Sequence, residues 1–294
     1  KKEAHVVYAL APGEYILHEE QAPTEQGYVR AEDVKFVVEE TGDVQKVKME
    51  DDHTKVSISK TDITDGKEIE GAKLQVLDQD GEVVESWTTG EEHLIEYLPV
   101  GTYTLHEEAA VDGYIVANDV EFTVEETGEI QKVKMEDERA MGQLVIVKTD
   151  TDSKAALEGV EFVLLEKETG KEVGRLKTGK DGKAVSELLP IGTYENGVFK
   201  EPITYVLKET ATLKGYEKTE EEWEIVFTYQ NDKTPVIEVV KEIQNKKIPE
   251  TPGTVKPGPK TGDDTNWFLP LLALGVSAGM VAGLLYYRKR HKKA

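Results

Sequence analysis

Val124-Glu125-Glu126-Thr127-Gly128-Glu129-Ile130-Gln131-Lys132-Val133-Lys134-Met135-Glu136-Asp137 reads as a turn followed by a strand. Thr127-Gly128 breaks the chain, and Val133, Met135 and Asp137 then fall on every second position. Side chains two residues apart in a strand share one face of a sheet. Nearly the same sentence stands 86 residues earlier, from Val38 to Asp51. Working outward, the same alternation appears in Val56-Ser57-Ile58-Ser59-Lys60, Leu74-Gln75-Val76, Glu121-Phe122-Thr123-Val124 and Leu144-Val145-Ile146-Val147-Lys148. Asp80-Gly81, Asp112-Gly113 and Asp181-Gly182 punctuate these runs as turns. Short strands with turn signals at this spacing predict an all-β chain of tandem β-sandwich domains, with no soluble helix.

The repeat sets the domain boundaries. Pro12-Gly13-Glu14-Tyr15-Ile16-Leu17-His18-Glu19-Glu20 parallels Pro99-Val100-Gly101-Thr102-Tyr103-Thr104-Leu105-His106-Glu107-Glu108. A more divergent third copy carries Leu189-Pro190-Ile191-Gly192-Thr193-Tyr194 and Tyr205-Val206-Leu207-Lys208-Glu209-Thr210. A spacing of 86 to 108 residues is that of a domain, too long for a solenoid unit. The expected domains are 53–138 and 140–247, preceded by an incomplete copy at 1–52 that lacks the strands corresponding to 53–92. The chain starts at Lys1 with no secretory signal, so a missing N-terminal region is expected upstream. Residues 248–264 form a Pro-rich spacer, and 265–294 a transmembrane helix with a basic tail.

Composition narrows the function classes. With 58 acidic and 36 basic side chains the formal charge is −22, which argues against nucleic acid as a partner. There is no cysteine, so disulfides cannot supply resilience to these domains. No phosphate loop, Ser/His/Asp set or thiol nucleophile is visible, and no cofactor is expected. His18-Glu19-Glu20 and His106-Glu107-Glu108 resemble metal ligands only superficially. Alternation sends His106 and Glu108 to the face opposite Glu107, so no metal site is expected. Trp87 and Trp223 are expected in the cores.

Alternation also puts charge where it is costly. Val56, Ile58 and Lys60 share a face, as do Tyr103, Leu105 and Glu107, and Val133, Met135 and Asp137. The third domain repeats the pattern with Leu144, Ile146 and Lys148, with Tyr205, Leu207 and Glu209, and with Ile243 and Asn245. A lysine desolvated in an apolar interior tends to the neutral, nucleophilic amine. A buried carboxyl tends to its protonated form, which can polarise an acceptor carbonyl and shuttle protons. Lysine, acid and Asp or Asn meeting in this way is the arrangement a spontaneous isopeptide bond requires. Attack on Asn245 releases ammonia, and attack on Asp137 releases water. One such trio in an acidic chain is ordinarily a solvated face. Two at corresponding strand ends favour the bond. In the first copy Glu19 and Asp51 match the acid and the acceptor, but no lysine strand accompanies them, which leaves Asp51 an unpaired acceptor.

Lys60-Thr61-Asp62, Gly71-Ala72-Lys73-Leu74, Leu98-Pro99-Val100-Gly101-Thr102-Tyr103, the segment from Glu107 to Gly113-Tyr114, and Met135-Glu136-Asp137 resemble the Cna protein B-type, prealbumin-like domains of Gram-positive adhesins and pilins. The resemblance covers nearly all of residues 5–247. It implies that first and last strands are neighbours. It also implies Lys60–Asp137, helped by Glu107, and Lys148–Asn245, helped by Glu209, as isopeptide cross-links. These would be single-turnover, intramolecular reactions of a protein that is not an enzyme.

The C-terminus supplies a second resemblance. Pro259-Lys260-Thr261-Gly262 precedes an apolar run from Trp267 to Tyr287 and a basic cluster, Arg288-Lys289-Arg290-His291-Lys292-Lys293. A helix over that run reaches roughly 30 Å, enough to cross a bilayer core, and the basic end fits the positive-inside rule. The order is similar to the LPXTG-like cell-wall sorting signal of Gram-positive surface proteins, with Gly258 where the commonest motif has Leu. It implies a sortase that cuts between Thr261 and Gly262 and joins Thr261 to a peptidoglycan or pilin amine. The chain would sit in the membrane before sorting and in the cell wall afterwards. The expected function is a wall-anchored surface stalk or adhesin, with a host surface ligand engaged through the missing N-terminal region. The alternatives are a pilin subunit polymerised by a pilin-type sortase and the wall anchor of an enzyme domain lying upstream.

Overall fold

The computed structural model describes residues 4–249. These residues are strands and turns, with one 3-10 turn at Thr24–Gln26. The first segment holds β1 (Gly13–Leu17), β2 (Tyr28–Val29), β3 (Val34–Val38) and β4 (Asp52–His53). β1 pairs with β3 and β2 with β4, both antiparallel. Ile16, Leu17 and Val37 are exposed on this small sheet.

The middle segment runs through β5 (Lys55–Asp62), β6 (Lys73–Leu77), β7 (Val83–Thr88), β8 (His93–Glu96), β9 (Gly101–Ala109), β10 (Tyr114–Ile115), β11 (Val120–Val124) and β12 (Ile130–Arg139). One four-stranded sheet has the order β10-β12-β5-β8 and the other β11-β9-β6-β7. Val56, Ile58 and Met135 of the first sheet meet Leu74, Val76, Tyr103, Leu105 and Val124 of the second in one core. β5 and β12, the first and last strands, pair in parallel.

The third segment repeats the plan with β13 (Met141–Asp150), β14 (Glu161–Glu166), β15 (Glu172–Lys177), β16 (Lys183–Val185), β17 (Leu189–Pro190), β18 (Gly192–Glu195), β19 (Val198–Pro202), β20 (Thr204–Ala211), β21 (Glu222–Val226) and β22 (Val236–Asn245). β13 buries every second residue and pairs in parallel with β22 along its whole length. The facing sheet has the order β15-β14-β20-β21. Trp223 is in this core, whereas Trp87 only borders the core of the middle segment, stacked on His93 at 4.3 Å.

The chain therefore forms tandem two-sheet β-sandwiches, the all-β architecture that the alternation predicts. Near-identical sequence does not yield identical structure everywhere. Residues 130–139 form a ten-residue strand, while of their counterparts at 44–53 only Asp52 and His53 lie in a strand. A strand is held by its ladder: β12 hydrogen-bonds to β5, and 44–51 has no such partner among the described residues.

A second departure lies in the third segment. Leu189–Tyr194 matches Leu98–Tyr103 in sequence, yet the two part company after Ile191. The core tyrosine whose hydroxyl bonds the proline carbonyl is Tyr103 on Pro99 at 2.9 Å, and Tyr205, not Tyr194, on Pro190 at 2.7 Å. Between them β18 and β19 form an inserted hairpin, closed where the Ile203 N–H donates to the Ile191 carbonyl at 3.0 Å.

That hairpin joins the two sandwiches. Its turn, Asn196-Gly197, has both residues at positive φ, 51° and 68°. A Cβ on Gly197 would stand 2.2 Å from the Glu68 carbonyl oxygen, so only glycine lets the turn rest there. Tyr194 donates to the Gly113 carbonyl at 2.8 Å, and the Arg139 guanidinium lies 4.1 Å above its ring. Arg139 also donates to Asp62 at 2.6 Å, and the Tyr114 hydroxyl donates to the same carboxylate at 2.7 Å. Burial pushes the Asp62 carboxyl up, but the bonds from Tyr114, Thr64 and Arg139 outweigh it and hold the group below its ordinary value.

Each copy ends with the same clasp. The glycine of a Gly-Tyr turn accepts the N–H of a residue just past the closing strand: Gly27 from Thr54 at 2.9 Å, Gly113 from Ala140 at 2.8 Å and Gly215 from Ile248 at 2.9 Å.

Candidate functional site

The parallel pairing of first and last strands decides where the two lysines go. In the middle sandwich Lys60 stands beside Met135 in the ladder, and Asp137 lies one pleat repeat further along β12 on the same face. In the third, Lys148 stands beside Ile243, with Asn245 one repeat further along β22. The lysine stem spans that step in both. The acid comes from the opposite sheet, Glu107 on β9 and Glu209 on β20. All six side chains are at least 96% buried, Glu209 being the most exposed at 4%.

In the middle sandwich Lys60 Nζ lies 2.9 Å from Glu107 Oε2 and donates to Asp137 Oδ1. Glu107 Oε2 also accepts the Ala117 N–H at 2.6 Å. Glu107 Oε1 and Asp137 Oδ2 are buried without a hydrogen-bond partner. Burial pushes Asp137 up to about 7, against the pull of Lys60 and with the help of Glu107. A carboxylic acid here is a neutral acceptor, and its proton can bridge to Glu107.

In the third sandwich Lys148 Nζ lies 3.0 Å from Glu209 Oε2 and donates to Asn245 Oδ1. Asn245 Nδ2 in turn donates to Glu209 Oε1 at 2.7 Å and to Thr212 Oγ1 at 2.7 Å. Burial lowers the Lys148 pKa, opposed by its bond and charge interaction with Glu209. Glu209 therefore sets one oxygen beside Lys148 Nζ and the other on Asn245 Nδ2.

The remaining predicted residues are not gathered in this way. Glu19 is half-buried and accepts the Ala31 N–H at 2.7 Å, as Glu107 does from Ala117. Asp51 is exposed and has no hydrogen bond or ion pair among the described residues. His106 bonds Asp119 at 2.7 Å on the outer face, and His18 bonds Asp33 in the same way at 2.6 Å. Among the described residues there is no cluster suited to a metal ion and no helix long and apolar enough to cross a membrane. Pro259, Lys260, Thr261, Gly262 and the apolar run after them lie outside the described residues.

The profile of the SpaA prealbumin-like fold domain matches residues 54–139 and 142–202, half of the chain. The chain belongs to this SpaA-type family. A solved structure of the Bacillus anthracis TIE protein is 30% identical to it, covering 81% of this chain and 43% of that one, with a TM-score of 0.51. The present chain thus spans less than half of that protein's solved length. A streptococcal ancillary pilin is 19% identical, covering 82% of this chain and 77% of that one, at a TM-score of 0.31. The minor pilin GBS52 of Streptococcus agalactiae is 20% identical, covering 69% and 100%, at 0.29. No curated protein matches in sequence.

Two parts of these SpaA-type domains escape a sequence reading. Thr212 is a threonine in a turn, ordinary until the fold sets its hydroxyl against Asn245. Asp62, Tyr114 and Arg139 are far apart in sequence and meet only because β12 ends beside β10 and β5.

Proposed function

We propose that the chain is a cell-wall-anchored surface stalk, processed by a sortase at Thr261–Gly262, whose SpaA-type domains seal themselves with Lys60–Asp137 and Lys148–Asn245 isopeptide bonds. The observation that carries the reading is the duplicated burial of amine, acid and acceptor at the junction of first and last strands.

In the third domain Lys148 gives a proton to Glu209, a transfer favoured because burial penalises the charged pair. The neutral amine attacks Asn245 Cγ, and the carbonyl π electrons move to Oδ1. Glu209 delivers its proton to Nδ2 and takes one from Nζ, after which the Cγ–Nδ2 bond breaks. An amide and one ammonia result, and Glu209 is left protonated, as it was before the attack. In the middle domain the same steps on protonated Asp137, with Glu107 as the shuttle, expel one water. Both are proximity reactions, since the fold holds amine and acceptor in contact from the outset.

The test is the intact mass of the full chain. It should be lighter than its sequence by one water and one ammonia; a mass equal to the sequence removes the cross-link reading. A pH series sharpens it. The Asp137 pKa is raised, so its neutral form dominates below about 7 and is lost above. In freshly synthesised chain the water loss should slow as pH rises through that value. The ammonia loss, on an amide that does not titrate, should lack this step.

The sorting half has its own check. Thr261→Ala should leave both mass losses intact and shift the protein from the wall fraction to membrane and medium. Undiminished attachment to peptidoglycan would overturn it.

A further inference from the structure

The residue three past the acid differs between the domains in step with the acceptor. In the third domain it is Thr212, three past Glu209 and three before Gly215-Tyr216, and the acceptor is Asn245. In the middle domain it is Ala110, three past Glu107 and three before Gly113-Tyr114, and the acceptor is Asp137. In the first segment it is again alanine, Ala22 after Glu19, ahead of Asp51.

Geometry gives this correlation a cause. An amide can sit in its pocket two ways, and only one points its carbonyl at the amine. Asn245 Nδ2 has two hydrogens, one directed to Glu209 Oε1 and the other to Thr212 Oγ1, each at 2.7 Å. Flipping the amide would set Oδ1 against an ionised Glu209 oxygen, acceptor against acceptor, and Nδ2 against the Lys148 ammonium, donor against donor; in the observed orientation Thr212 takes the remaining Nδ2 hydrogen. A carboxyl acceptor has no N–H to place. A hydroxyl beside it would donate instead, favouring the ionised form over the neutral one that condensation needs. Alanine avoids that, and Asp137 Oδ2 is indeed buried without a donor.

We propose that Thr212 is a catalytic residue of the third domain, which fixes the Asn245 amide with its carbonyl toward Lys148 and its nitrogen poised to leave. The choice of Thr or Ala at this position matches each domain to an amide or an acid acceptor. This inference rests on the isopeptide reading above.

Full-length chain released from a short pulse of cell-free synthesis can be followed by intact mass. Thr212→Val should slow ammonia loss about tenfold, the worth of one hydrogen bond to a reacting group. It should leave water loss in the middle domain unchanged, an internal control for synthesis and folding. Thr212→Ser should restore the rate. The reciprocal pair needs no change in the third domain: Asp137→Asn should lose its own ammonia slowly, and Asp137→Asn with Ala110→Thr faster. Equal rates for unaltered and Thr212→Val chain, or no gain from Ala110→Thr, overturn the proposal while the isopeptide reading stands. An unaltered chain that loses no ammonia removes both.

Discussion

Lys148→Ala should abolish the loss of ammonia and lower the stability of the third domain by about 5 kcal/mol. The bond would tie residues 97 apart in sequence, and closing a loop of that size restricts the unfolded chain as a disulfide does. For a domain of this length the loss corresponds to about 20 °C or more in Tm. A further destabilisation follows from leaving Glu209 buried without its amine, so the comparison should include Asn245→Ala, which removes the bond and keeps the Lys148–Glu209 pair. Calorimetry of full chain checks both. A Lys148→Ala chain that melts with the unaltered one would show that no covalent tie was lost. The middle domain, with its own lysine, should keep its transition.

Glu209→Gln separates the chemistry from the packing. Glutamine keeps the shape, and its oxygen can still accept from Asn245 Nδ2 as Glu209 Oε1 does at 2.7 Å. Its other end is a donor, so it could not take a proton from Lys148, whose Nζ lies 3.0 Å from Glu209 Oε2. Losing a positioned proton shuttle costs about 100- to 10,000-fold in rate. Intact mass of pulsed chain should show ammonia retained over times at which unaltered chain has released it. Amide hydrogen exchange in β13 and β22 should show the pair still formed. Ammonia loss at the original rate would remove Glu209 from the reaction.

The two domains differ in how their reactivity responds to solution. In the middle one the acceptor itself titrates, pushed up to about 7 by burial. In the third the acceptor is an amide, which does not titrate, and it is the Lys148 amine that burial pulls down. On the proposed reading, the same strands and the same register would serve two leaving groups.

Much of this was legible before any coordinates. Alternation alone sets Val56, Ile58 and Lys60 on one side of a strand, and these three are buried together. The same reasoning set His106 apart from Glu107, and the two do face opposite ways. What alternation does not carry is pairing. Val38–Asp51 and Val124–Asp137 are almost one sequence, but only the second includes a strand that finds a parallel partner. Nor does similarity reveal an insertion that imitates a motif. Leu189–Tyr194 copies Leu98–Tyr103 residue class by residue class, and only the hydroxyl of Tyr205 on Pro190 exposes the hairpin between. Thr212 was invisible for a third reason: its meaning lies in a contact across 33 residues of sequence.

The parallel pairing of β5 with β12 and of β13 with β22 has a consequence for reach. When first and last strands run the same way, the chain leaves a domain at the end opposite to the one it entered. Ala140 alone separates β12 from β13, so one exit is the next entrance. Each of these two domains then advances the protein by about one strand, ten residues or about 33 Å, and stores the rest of its sequence to the side. Were a domain to open, the 97 residues between Lys148 and Asn245 would pay out about 340 Å of slack. Sealed as proposed, they would pay out none.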